Sequence, residues 1–147
     1  MHDRAPNARR NGTHAPQLGP WPLALLPSKP QSASAARKFV RRYLAYADPG
    51  ASEDHVYAVT VVMSELVTNA VRYGTEPGDS VRITIDVTAR RTRVEVHDAV
   101  RRYPRPRPES RTRERGRGLV VLNALCPGAW GVTDRPFGKA VWAEVTA

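Results

Sequence analysis

The hydrophobic period of this chain changes at Gly74, and that change limits the folds open to it. Upstream, residues 61–74 read VVMSELVTNAVRYG. Val59, Met63, Leu66, Val67, Ala70 and Val71 recur at the three- and four-residue steps of an amphipathic helix that stops at Gly74. Downstream, residues 80–88 alternate around VRITIDV, with Val81, Ile83, Ile85 and Val87 facing one way. Residues 93–97 alternate again as RVEVH after a turn at 89–92. Two half-buried strands joined by so short a turn must pair antiparallel, because a parallel crossover needs a dozen or more connecting residues.

The other segments extend this pattern. Residues 1–19 are polar and basic with no hydrophobic period, so a disordered tail is expected there, ahead of one domain at 20–147. Residues 21–26 read as a short edge strand, where Pro22 is tolerable. Ser32 or Ser34 is expected to cap a helix running to about Ala47, with Ala36, Phe39, Val40, Tyr43, Leu44 and Ala47 on one side. Arg37, Lys38, Arg41 and Arg42 fall mostly on the other, and Asp48-Pro49-Gly50 ends the helix. Ser52 then caps the second helix, with Glu53 and Asp54 in its first turn, where the helix dipole favours negative charge.

After Asp98 the character changes. Pro104, Pro106 and Pro108 alternate with arginines, and residues 99–115 read as a long loop of the kind associated with a lid or a binding segment. A helical stretch follows to about Leu125 and closes at Pro127-Gly128. A strand at 130–134, a turn at 135–138 and a final strand at 139–145 complete the chain, with Val141, Ala143 and Val145 on one face. The order strand, helix, helix, hairpin, loop, helix, hairpin predicts an α+β two-layer sandwich. Its sheet would be mixed but mostly antiparallel, covered on one face by helices. No βαβ alternation with a glycine fingerprint is present, which argues against a Rossmann domain.

Composition narrows the function classes. With 147 residues, the chain can bury a core without disulfides or metals. The net charge is +9, carried almost entirely by arginine, since Lys29, Lys38 and Lys139 are the only lysines. The arginines are not interleaved with aromatics as a base-stacking platform requires, so nucleic acid is not the expected partner. Cys126 is the single cysteine, which excludes an internal disulfide; its apolar context predicts a buried, inert thiol. His2, His14, His55 and His97 are scattered and form no metal-ligand spacing. No apolar run approaches the roughly 20 residues of a membrane span, and the expected location is the cytoplasm.

Three separated pieces carry chemical potential. Glu65 and Asn69 lie one helical turn apart, on a face shared with Val62 and Tyr73. A carboxylate there can take a proton, and a carboxamide oxygen can ligate magnesium. Asp98 ends a strand, where a buried carboxylate can accept a hydrogen bond from an exocyclic amine. Gly116-Arg117-Gly118 opens a helix, where backbone N–H groups can approach phosphates. Taken singly, each also has a plain structural reading: a solvated helix stripe, a turn aspartate and an ordinary glycine turn.

Taken in order, ELVTNAVRYG, VEVHDA, GRGL and GKAVWAEV resemble the GHKL, or Bergerat-type, ATP-binding fold over about residues 21–146. The likeness is greatest to small bacterial regulators of the anti-sigma-factor serine/threonine kinase class. The resemblance implies ATP and Mg2+ as ligands, with Asn69 holding the metal and Glu65 acting as general base toward a serine or threonine hydroxyl. It implies that Asp98 receives the adenine amine and that Tyr73 lines the pocket. Gly116 and Gly118 would let the loop close over the phosphates, with Arg115 or Arg117 offsetting their charge. It also implies a small anti-anti-sigma-type protein as phosphoryl acceptor, a sigma factor as bound partner and pairing as a homodimer. Thr133 and Lys139 are expected to be framework. One departure stands out: the family's glycine soon after the adenine-binding aspartate is missing, because the run is Asp98-Ala99-Val100-Arg101 with no glycine before Gly116. That leaves open a non-catalytic partner-binding module with a degenerate nucleotide site.

Overall fold

The computed structural model describes residues 19–98, 120–136 and 138–147. Strand β1 (Leu23–Pro27) leads into helix α1 (Ser32–Ala47) and helix α2 (Glu53–Asn69), which continues through a π turn (Ala70–Gly74). The hairpin strands are β2 (Ser80–Val87) and β3 (Arg91–Asp98). Residues 120–125 are helical, and β4 (Trp130–Arg135) and β5 (Gly138–Thr146) finish the chain. The strands form one sheet in the order β1-β2-β3-β5-β4. Every described pair is antiparallel, so the parallel component expected of a mixed sheet does not occur among the described residues. The α+β sandwich is otherwise as the period change predicts. The expected tail, the loop at 99–115 and the GRGL segment fall outside the described residues.

The helices form where their apolar residues can be shared between layers. Ala36, Val40 and Leu44 of α1 are fully buried, while Phe39 and Tyr43 pack partly buried at the margin. α2 packs against α1 and against the strands β3 and β5, while α1 packs against β1 and β2, so α2 buries more than one stripe. Val59, Val62, Met63, Leu66 and Val67 are all sealed from solvent. Val62 therefore belongs to the core, although it shares a helical face with the polar Glu65 and Asn69. The sheet closes the core with Val81, Ile83, Ile85, Val94, Val96, Ala143 and Val145.

Ser52 caps α2 as its position predicts: its hydroxyl accepts the His55 amide at 3.1 Å. α1 differs. Its N-cap is Gln31, with no side-chain capping bond. Ser32 is the first helical residue, and its hydroxyl instead donates to the Pro27 carbonyl at 2.5 Å. That bond ties the helix start to the end of β1. Cys126 is buried and its thiol donates to the Leu122 carbonyl at 3.0 Å. Burial pushes the thiol pKa up, which keeps it protonated and inert.

Among the described residues the helices cover one face of the sheet only. The opposite face is held by charge and stacking. Arg93 donates to Glu144 at 2.9 Å and to Glu95 at 3.1 Å while lying over the Trp142 ring at 4.4 Å. His97 sits on this same face, almost wholly buried. Arg82 donates to its Nδ1 at 3.3 Å, which leaves the ring proton on Nε2. Nε2 points toward Glu95 Oε2 at 3.4 Å without completing a hydrogen bond. Burial, then the charges of Arg82 and Arg135, hold the imidazole pKa below its ordinary value against the opposing pull of Glu95.

The unfolded chain therefore takes up a proton at this histidine before the folded one does. Stability should fall as pH drops through about 6.5 toward the lower folded value. Glu95 titrates in a lower range: burial raises its pKa, but the Arg93 hydrogen bond and charge outweigh that and hold it down. In urea unfolding between about pH 8 and about pH 5, His97→Gln should flatten the slope of stability against pH. A slope unchanged by the substitution would contradict this account.

Candidate functional site

The end of α2 and the end of β3 meet at one cleft, because the helix finishes in a widened turn. π turns often mark functional positions. Here the turn is anchored at its far end, where the Thr75 hydroxyl donates to the Ala70 carbonyl at 3.0 Å. The Thr75 and Ser28 hydroxyls form a short hydrogen bond that fastens the same point to the segment after β1. The turn brings Gly74 onto Asp98. A Cβ at position 74 would lie 2.5 Å from Asp98 Oδ2, so only glycine leaves that carboxylate where it is.

Asp98 is 6% exposed. On β3 it follows Val94 and Val96 at two-residue steps, which puts its side chain on the helix-covered face. The Lys139 amide on β5 donates to its Oδ1 at 3.4 Å. Asn69 is the last residue of α2 and is half-buried. The cleft between them has a volume of about 210 Å3. Leu66, Asn69, Ala70 and Gly74 form one wall, Val96 and Asp98 the floor, and Leu122 the side. Trp130, Val132, Lys139 and Val141 close it from β4 and β5. The Trp130 indole is oriented by its N–H, which donates to the Asn123 side chain at 2.9 Å. An apolar, concave surface with a few convergent polar groups is what a small-molecule site requires.

A family profile described as histidine kinase-like ATPase domain matches residues 26–142. The chain belongs to this family. A search of curated proteins finds no match. For a histidine kinase-like ATPase domain of the GHKL type the α+β sandwich is the expected architecture, and membership implies ATP binding. No helix among the described residues is long and apolar enough to cross a membrane.

The domain brings two of the residues singled out in the sequence, Asn69 and Asp98, to the same cleft. Glu65 lies one turn before Asn69 on α2, half-buried and beside the described wall rather than in it. Tyr73 is half-buried in the π turn and likewise does not line the described wall. Arg115, Gly116, Arg117 and Gly118 lie outside the described residues. Thr133 is exposed and pairs with Ala140 on β5, which puts it on the sheet face opposite the cleft. Sequence reasoning missed Gly74 as the partner of Asp98 and Lys139 as a cleft residue. The signal for Lys139 was present, since it shares the two-residue alternation of Val141, Ala143 and Val145. Nothing local marks Gly74 as more than a helix stop.

Gly74→Ala should turn the Asp98 carboxylate out of its position. The expected cost is about 1–3 kcal/mol of stability, the ordinary range for overpacking a tight contact, together with weakened ATP binding. Chemical denaturation and calorimetry measure the two effects. A variant as stable and as tight as the parent would refute the close approach.

Proposed function

We propose that this domain is an ATP- and magnesium-binding regulator of the anti-sigma-factor serine/threonine kinase type. It would transfer the γ-phosphoryl group of ATP to a hydroxyl of a small anti-anti-sigma-type protein and would hold a sigma factor by binding it. The observation that supports this reading most is the convergence of Asn69 and Asp98 on one apolar cleft. In it, Asp98 accepts a hydrogen bond from the adenine amine, and the ring lies among Val96, Leu122 and Val141. A volume of about 210 Å3 is below the roughly 300–1,000 Å3 of a site that engulfs a drug-sized ligand. It suits a heterocycle, with sugar and phosphates extending past Asn69.

The residues fit a magnesium ion held in part by its nucleotide. Among the described residues no group of three or more His, Cys, Asp or Glu side chains could hold a cation alone. Magnesium commonly binds through one or two protein oxygens plus substrate phosphates, and the Asn69 carboxamide supplies one such oxygen. Bound there, the ion would neutralise phosphate charge. Glu65 takes the proton from the attacking hydroxyl as its oxygen bonds to the γ-phosphorus and the bond to the ADP oxygen breaks. Arg115 or Arg117, with the amides of Gly116 and Gly118, would offset charge on the transferring group. Positioning and charge stabilisation supply most of the rate in such reactions.

The missing glycine between Asp98 and Gly116 favours a second reading, a partner-binding module with a degenerate nucleotide site. Two substitutions separate the readings. Asn69→Ala should abolish magnesium-dependent ATP binding in calorimetry, and unchanged affinity would remove the metal role. Glu65→Ala should keep ATP binding yet lose phosphoryl transfer to the acceptor protein by at least about a hundredfold, within the usual range for a general base. Full transfer by that variant would exclude the base assignment. Absence of ATP binding to the parent protein at millimolar concentration would favour the module.

A further inference from the structure

Among the described residues, Lys139 is the one cation lining the cleft, and the proposed nucleotide chemistry gives it no task. It stands directly opposite Asp98 across the β3–β5 ladder, and its amide already bonds that carboxylate. It follows the alternation of Val141, Ala143 and Val145, so its side chain is on the cleft side of the sheet. Among the described residues its ammonium forms no ion pair. A lysine in an apolar cleft beside a carboxylate, yet not paired with it, has donors to spend on a ligand.

Resting on the adenine-site reading, we propose that Lys139 is a base-reading residue. Asp98 and Lys139 together present an acceptor beside a donor. The adenine edge presents the complement, the exocyclic amine beside the unprotonated ring nitrogen N1. With the amine on Asp98, the Lys139 ammonium donates to N1. One carboxylate alone would accept from any exocyclic amine. The pair requires an amine with a neighbouring acceptor, which makes the lysine a determinant of which ring the cleft holds.

The test is a thermodynamic cycle by calorimetry on the full chain: parent and Lys139→Met, each with ATP and with 1-deaza-ATP, which lacks N1. The parent should bind ATP about tenfold to a hundredfold more tightly than the analogue, the range for a hydrogen bond to a charged group. Lys139→Met should bind both equally, and Lys139→Arg should recover part of the preference. A parent indifferent to the loss of N1 overturns the inference, and so does a preference that survives in Lys139→Met. A lysine that served the phosphates would show equal losses for both nucleotides in Lys139→Met and also contradict it. Failure of the parent to bind either nucleotide would overturn the adenine-site reading itself, separately from the role of Lys139. The comparison within the parent needs no variant to fold.

Discussion

The cleft depends on a close approach of backbone to carboxylate: the π turn that follows α2 lies so near the end of β3 that position 74 has no room for a side chain beside Asp98. Two elements of different kind, a helix and a central strand, are locked at that point. The lock is held from outside by Thr75, whose hydroxyl closes the π turn and meets Ser28. It is held from below by Leu66, Val96 and Leu122, all sealed from solvent. That contact sets the end of the helix against the end of the strand, with Asn69 and Asp98 on the same cleft. The proposed nucleotide site, with a ring at one end and a phosphate-held cation at the other, would need such a fixed arrangement more than any single contact.

The sheet order serves the same end. β5 is inserted between β3 and its own sequence neighbour β4, so Lys139 arrives beside Asp98 and its amide can bond the carboxylate. The opposite face of the same strand carries a different problem. His97, adjacent to Asp98, is buried between Arg82 and Glu95 and is kept neutral by burial and cationic neighbours. One strand end thus keeps a carboxylate on the cleft side and a neutral imidazole behind it.

Much of this was legible in the sequence because it is local. The helix-to-strand change of period located α2 and the β2–β3 hairpin, and Ser52 followed by two acidic residues marked a helix start that the structure reproduces. Ser32 failed as a cap because the helix begins at it, with Gln31 in the N-cap position; its hydroxyl donates to the Pro27 carbonyl, a partner set by tertiary position. Val62 looked like part of a polar face, but α2 packs against both the neighbouring helix and the sheet and buries it. The order of strands, the approach of Gly74 to Asp98 and the place of Lys139 all arise from pairing between segments far apart in the chain, which periodicity does not encode. The proximity of Asn69 and Asp98 followed from a family resemblance, and their shared cleft is a matter of packing.

The central claim is that the ends of α2, β3 and β5 form one nucleotide cleft. Backbone amide NMR during titration with ATP and magnesium tests it most directly. The account predicts concerted shifts at Asn69, Ala70, Gly74, Asp98, Lys139 and Val141, with Arg91, Arg93 and Glu144 at the far end of the opposite sheet face unmoved. Shifts confined to that opposite face, or none at saturating nucleotide, would contradict it.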